Sequence, residues 1–478
     1  MTKKSEEGIT IKKEDDMSEW FTQLMIKAEL ADYSSVSGCI IFRPSSYNLW
    51  EKIRNACDDE FKKIKIQNCY FPLFIPEKSF EKESEHIKGF APEVAWVTHA
   101  GKTKLNEKLA IRPTSEAIMY ESYSKWIRSW RDLPLLLNQW NNVVRWEFNN
   151  PIPFFRTREF LWNEMHTVFA TEKEAIEHGR KVMKIYERIT KELMALPGTY
   201  GRKTNYEKFA GAVFSEKMHH VLPNGKVIEG TCFHYDGQNF AKAYDIKFKD
   251  KNEKENFVYQ NTHAISTRML GTMLAMHSDD KGLVIPPKIA ENKIVIIPLL
   301  FKGKEKKVLE ISKKIEKELK KFSPILDERE EYSPGRKFSE WELKGIPIRI
   351  EIGPKDLEKN SAMVVKRNTS EKIQIKISDL KKRIPVILEE MQKELYQNAE
   401  KLLKNSLRKT EDKKEMIKLI KEKKMIKVPL SNSEKVEEKL KEETSAKTLF
   451  IDSEKISNQK CIISGKRADY WVYVGKTY

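Results

Sequence analysis

Six charged side chains stand among aromatic and β-branched neighbours in the stretch 143–169, VVRWEFNNPIPFFRTREFLWNEMHTVF: Arg145, Glu147, Arg156, Arg158, Glu159 and Glu164. Arginine and glutamate are rarely buried unless paired or bound to something. A hairpin with one solvated, ion-paired face would carry the same pattern. Here the alternation also supplies aromatic rings. Guanidinium groups for an acidic phosphate and faces for a flat base therefore lie side by side. Arg112-Pro113-Thr114-Ser115-Glu116 adds a second chemistry. A hydroxyl and a carboxylate two residues apart in extended chain point the same way and can hold an ammonium group. Capping of the next helix accounts for Thr114 equally well.

These groups need a rigid frame. Val143, Val144, Trp146 and Phe148 read as a strand, Asn149-Asn150-Pro151 breaks it, and Phe154 to Phe169 reads as its partner, giving a hairpin. The form RWE…FRTREFLW…E.H resembles motif 2 of class II aminoacyl-tRNA synthetases. Other segments narrow the resemblance to the archaeal/eukaryotic-type prolyl-tRNA synthetases, from about residue 18 to Tyr478. GCIIFRPSSYNLW, with RPSSY where the family has RPYGY, resembles motif 1, which forms the family's dimer interface. STRMLGTMLAMHSDDKGLVIPP, from Ser266, resembles motif 3.

The resemblance implies roles. Arg145 would bridge the proline carboxylate and the ATP α-phosphate, and Arg156 and Arg268 would hold the outer phosphates. Glu147, Thr157 and Ser266 would contact the nucleotide, and Phe160 would stack on adenine. Thr114, Glu116 and His234 would hold proline. The run from Ile228 to Tyr244 carries His234 and Gly237-Gln238-Asn239-Phe240 in register with the family. Departures are Glu229 for a glutamine that contacts nucleotide and metal, and Cys232 for a nucleotide-binding threonine. His263 and Ala264 stand for Trp and Gly. A carboxylate carries the charge that Mg²⁺ prefers, so Glu229 is the expected magnesium ligand. Cys232 reads more readily as a small buried hydrophobe than as a redox or metal group.

The chain divides by pattern. Residues 1–17 are polar and read as a flexible tail. Residues 18–290 read as an α+β class II catalytic domain, an antiparallel sheet flanked by helices. From Lys293, strands alternate with helices, as in an α/β anticodon-binding domain over 291–405 with a mixed sheet. Within it, Glu342 and Arg367 match residues of the region that meets the anticodon; surface charge is the plainer reading. Residues 406–478 resemble the family's small C-terminal zinc-binding domain, an α/β unit that ends near the active site at Tyr478. Its C-x₄-C and C-x₂-C ligand positions are here Ser431, Val436, Cys461 and Ser464. With three of four thiols replaced, no zinc is expected.

Composition is consistent with this reading. Lysine and arginine number 88 against 71 acidic residues, a net +17. That excess suits a polyanion such as tRNA, although a lysine-rich surface needs no such partner. No 18-residue apolar run and no signal-type segment occurs, and the five cysteines are scattered without a CxxC pair. A cytoplasmic protein is expected. The implied enzyme is a homodimeric proline–tRNA ligase using ATP, Mg²⁺, proline and tRNA(Pro). The substitutions at 229, 232, 263 and 264 motivate one alternative, a non-catalytic tRNA-binding or regulatory paralogue. Phe169 and Thr262 enclose only 262 − 169 − 1 = 92 residues, too few for the editing domain of bacterial-type prolyl enzymes.

Overall fold

The computed structural model describes residues 8–79, 93–147 and 151–478. The first seven residues of the expected tail, Phe148 of the expected strand and the Asn149-Asn150 break therefore lie outside the described residues.

Eleven strands form the main sheet. Its centre is antiparallel, in the order Thr199–Arg202, Phe214–Val221, Val227–Gly237, Tyr259–Ser266, Glu159–Phe169, Leu135–Val144. Helices cover one face. Glu172–Glu192 turns Val182, Ile185, Tyr186 and Ile189 inward, spaced for one helical face. It begins with a capping box, in which Thr171 and Glu174 satisfy each other's backbone donors. The motif 1 helix Pro44–Lys63 buries Leu49, Trp50, Ile53, Cys57 and Phe61 in the same core. Pro44 occupies its first position, where the missing N–H costs nothing.

The sheet does not stop at the catalytic domain. Lys447–Ile451 meets Thr199–Arg202 through the pair Ile451–Arg202, and three further C-terminal strands lie beyond it. Between the two parts of this sheet in sequence lies a separate five-stranded mixed sheet, Ile325–Leu326, Ile294–Pro298, Ile348–Ile352, Ser361–Lys366, Lys372–Lys376. Val308 and Ile315 of helix Glu305–Glu318 and Ile384, Ile387 and Met391 of helix Leu380–Ser406 fill its core.

Three sequence expectations change. The hairpin strands end at Val144 and resume at Glu159, so Arg145, Glu147 and Arg156 sit on the connection rather than inside strands. Phe154 has φ 63°, which no strand residue adopts. Residues 8–16 are docked, not free. Lys13 donates from its backbone to Asp280 (2.8 Å) and from Nζ to the carbonyls of Met276 (3.3 Å) and Ser278 (2.7 Å). Those oxygens lie at the C-terminus of helix Arg268–His277, which lacks internal donors and attracts cations. Finally, Arg367 is buried. Its guanidinium is paired at both ends with Asp279 (2.8 and 2.6 Å), and Nε donates to the carbonyl of Glu342 (2.9 Å). These donors tie the 291–405 region to Asp279 within the motif 3 stretch, so the surface-charge reading of Arg367 does not hold. Glu342 itself accepts from Arg349 (3.0 Å).

Candidate active site

A cavity of about 1020 Å³ opens on the uncovered face of the catalytic sheet. Strand alternation builds it, because residues two apart share a face. His234 and Cys232 come from one strand, Thr262 and Ala264 from the next, and Trp162, Glu164 and His166 from the third.

One end is acidic. Glu164, 3% exposed, accepts hydrogen bonds from Ser115 N (2.6 Å), Ser115 Oγ (2.6 Å), Asn141 Nδ2 (3.1 Å) and Thr114 Oγ1 (2.8 Å). Thr114 Oγ1 also contacts the Glu116 carboxylate. His166 Nε2 lies 3.5 Å from Glu164, and its Nδ1 bonds the Tyr120 hydroxyl at 2.9 Å. Burial pushes Glu116 up. Burial would also raise Glu164, but His166, Ser115 and Thr114 outweigh it and hold that carboxyl well below its ordinary value. Two carboxyls so close cannot both ionise cheaply without a cation between them. Glu116, Glu164 and His166 also lie close enough to share a metal ion. The oxygens of Glu164 are already spent on neutral protein donors, which suits an organic ammonium better than a metal ion.

His234 closes this end. Its Nδ1 bonds Ser215 Oγ at 2.7 Å and its ring packs on Phe209 at 4.7 Å. Burial and nearby Lys217 push its pKa down to about 3, so the ring is neutral near pH 7.

The other end is cationic. Arg145 is aimed by the Pro113 carbonyl (Nε, 3.1 Å) and by the faces of Phe160 and Trp162, 5.5 and 5.3 Å away. Arg268 starts its helix and is aimed by the Phe155 carbonyl (3.3 Å). Glu147, Thr157, Ser266, Glu229 and Cys232 line the same space. Thr157 Oγ1 is engaged by the Glu159 carbonyl (2.6 Å), and Ser266 Oγ by the Arg268 N–H (3.3 Å). Arg156 stays exposed and does not line the cavity, yet its charge acts on Arg268. Burial raises the Cys232 thiol, as for a small packed group. His263 stacks on Phe233 (4.9 Å, 7°) and lines the wall beside Ala264. Tyr478 stacks on Phe155 at 5.1 Å, so the chain's end does reach the site. Asn432, Glu434 and Glu437 add part of the rim from the C-terminal region.

Every predicted proline-binding residue, and every predicted nucleotide-binding residue except Arg156, meets in this one cavity. Sequence reading did not assign Glu164, His166, Trp162 and Phe209. The first three were visible as alternate positions of the motif 2 strand, and Phe209 had no local signal. Lys217 was also unassigned.

Comparison with known proteins accounts for the whole length. The class II tRNA synthetase core domain (G, H, P, S and T) matches residues 97–277, an anticodon binding domain matches 293–387, and the C-terminal domain of prolyl-tRNA synthetase matches 413–478. The cytoplasmic proline–tRNA ligase of Arabidopsis thaliana is 43% identical over 98% of this chain and 91% of its own. The chain belongs to the prolyl-tRNA synthetase family. Proline–tRNA ligase 2 of Bacillus cereus, from the same family, is 42% identical over the full length of both chains. The crystal structure of prolyl-tRNA synthetase from Cryptosporidium parvum, complexed with halofuginone and AMPPNP, superimposes with a TM-score of 0.93 at 39% identity. It covers 99% of this chain and 98% of that one. The three-part order seen in the fold is thus the family's own. Among the described residues no helix is long and apolar enough to cross a membrane.

The surroundings of Glu229 do not suit magnesium. Glu229 Oε1 accepts from Lys203 Nζ (2.8 Å) and Oε2 from Lys217 Nζ (2.6 Å). Both oxygens face ammonium groups, so a divalent cation there would meet two positive charges at close range.

Proposed function

We propose that the chain is a proline–tRNA ligase: it activates L-proline with ATP and transfers the prolyl group to the 3′ end of tRNA(Pro). The observation that carries this reading is the polarity of one cavity. Thr114, Glu116 and Glu164 face a space fit for a secondary ammonium, while Arg145 and Arg268 face a space fit for phosphates. In the first step the proline carboxylate attacks the α-phosphorus, the bond to the β-phosphate oxygen breaks, and pyrophosphate leaves. The nucleophile is already an anion, so no general base is needed, and rate comes from positioning and charge neutralisation. Arg145, at the cationic end, is the group we assign to the carboxylate and α-phosphate together. Thr157 and Ser266 contribute through a backbone-anchored wall, and Phe160 offers a face to adenine. Proline-dependent ATP–pyrophosphate exchange tests this. Exchange with proline and without tRNA supports the reading; no exchange in a folded, ATP-binding protein would favour a non-catalytic paralogue.

We further propose a cytoplasmic homodimer joined through the motif 1 region, which light scattering at micromolar concentration would contradict by returning a monomer mass. The C-terminal region is assigned no zinc. Ser431 and Ser464 lie 3.4 Å apart beside Cys461, and neutral hydroxyls are poor substitutes for thiolates. One zinc per chain in metal analysis would refute this.

A further inference from the structure

Lys217 projects from the strand Phe214–Val221 into the cavity, directly across from Cys232 on the neighbouring strand. Its ammonium makes one hydrogen bond, to Glu229 Oε2 at 2.6 Å, and no other protein acceptor lies in range among the described residues. An ammonium has three donors, so two remain for a ligand. Lys203, the other partner of Glu229, is placed differently. It is 1% exposed, lies 3.9 Å from Glu207, and reaches the Thr448 carbonyl (3.4 Å) of the C-terminal region. Lys203 is therefore the buried anchor, and Lys217, 21% exposed, is the presented cation. The trio carries two ammonium groups and one carboxylate, a net +1 beside Arg145 and Arg268. His219 behind it is held neutral, its pKa pushed down to about 3 by burial and Lys203.

We propose that Lys217 is a nucleotide-phosphate ligand, a tethered cation held by Glu229 at the place where the expected metal contact does not fit. Glu229 is then a positioning residue that orients Lys217, and Mg²⁺ enters only as part of the substrate, bound to ATP. The inference rests on the proposed use of ATP in this cavity. Its placement follows from the strand register: Lys217 pairs with Cys232, and both line the cavity with Arg145, Glu229 and Arg268.

The test is calorimetric binding of AMPPNP to the full-length protein in EDTA, so that no metal takes part. Lys217→Met should weaken binding about tenfold, the cost of one charge-assisted hydrogen bond, and Lys217→Arg should restore most of it. Thermal melting reports whether each variant is folded. Mn²⁺ titration monitored by electron paramagnetic resonance supplies the second arm. The unmodified protein should show no Mn²⁺ site that Glu229→Gln removes, because Lys203 and Lys217 occupy both carboxylate oxygens. A folded Lys217→Met that binds metal-free AMPPNP like its parent would overturn the proposal. So would a Mn²⁺ site in the parent that depends on Glu229. Failure of proline-dependent exchange would instead count against the proposed function, because the binding arm is read without proline or turnover.

Discussion

The two ends of the cavity are built on opposite principles. At the acidic end, Glu164 is almost wholly buried and saturated by Ser115, Thr114, Asn141 and Gln139. At the cationic end, Arg145 and Arg268 each donate to one backbone carbonyl, and Lys217 donates to one carboxylate. The first end is preorganised around a small, fixed charge, and the second keeps donors in reserve for a ligand with many oxygens. A proline ammonium demands one tight geometry, whereas a triphosphate in transit to a pentacovalent transition state rewards several cations free to follow it.

Breaking the cationic end should have the largest effect. Arg145→Ala is expected to lower proline-dependent exchange by about 10²-fold or more while leaving the melting temperature within a few degrees. Near-normal exchange in a folded variant would remove Arg145 from the chemistry.

Breaking the acidic end should act on proline alone. Glu164→Gln keeps the shape but removes the charge that its donors hold in place. We expect KM for proline to rise roughly 10- to 100-fold, as when a buried charged hydrogen bond is lost, with KM for ATP little changed. A parallel rise in both constants would mean the two ends are not separable.

The comparison can be sharpened with a smaller substrate. Alanine carries the same ammonium and carboxylate, so only the missing methylenes distinguish it, worth about 1–3 kcal/mol. The segment between the 159–169 and 259–266 strands is occupied by helix Glu172–Glu192, three sheet strands, the short helix Asn239–Ala243 and the strands Lys247–Lys249 and Glu255–Phe257. We therefore predict measurable alanine activation and no hydrolysis of Ala-tRNA by this chain. Deacylation above the spontaneous rate would reveal a hydrolytic site elsewhere.

Acid should separate the catalytic region from the anticodon-binding domain. All nine histidines precede residue 278. Burial, with other causes at some sites, pushes His178, His220 and His277 down to about 4 and His219 and His234 to about 3. Such rings stay neutral when folded and take up protons when unfolded. Their effect is absent above the ordinary value of 6.5. Stability is lost as pH falls from there toward the folded values. Burial holds His263 well below its ordinary value too, so His166, raised by Glu164 and Glu116 despite its burial, opposes the trend as one ring against six. Calorimetry between pH 7.5 and 4.5 should show the catalytic transition falling before that of the anticodon-binding domain; coincident loss would contradict this.

Much of the site was legible in sequence because motif 2 and motif 3 keep their chemistry in short, contiguous stretches. The hairpin's exact register was not. Arg145 looks like a strand residue by its neighbours, but the strand ends at Val144 and leaves it on the connection. Glu164 and His166 were readable as alternate residues of one strand, yet their role depends on Thr114 and Ser115, about 50 residues away. The pairings of Lys217 and Arg367 carried no local signal at all. Their partners, Glu229 and Asp279, are set by tertiary pairing, as is the union of the C-terminal strands with the catalytic sheet through Ile451 and Arg202.

The central claim is that one cavity binds the proline ammonium at its acidic end and the nucleotide at its cationic end. A crystal structure with a non-hydrolysable prolyl-adenylate sulfamate tests it directly. The account predicts the pyrrolidine nitrogen within hydrogen-bond distance of Thr114 and Glu116, the sulfamate on Arg145, and adenine against Phe160. A ligand bound in the reverse sense, or seated outside this cavity, would contradict it.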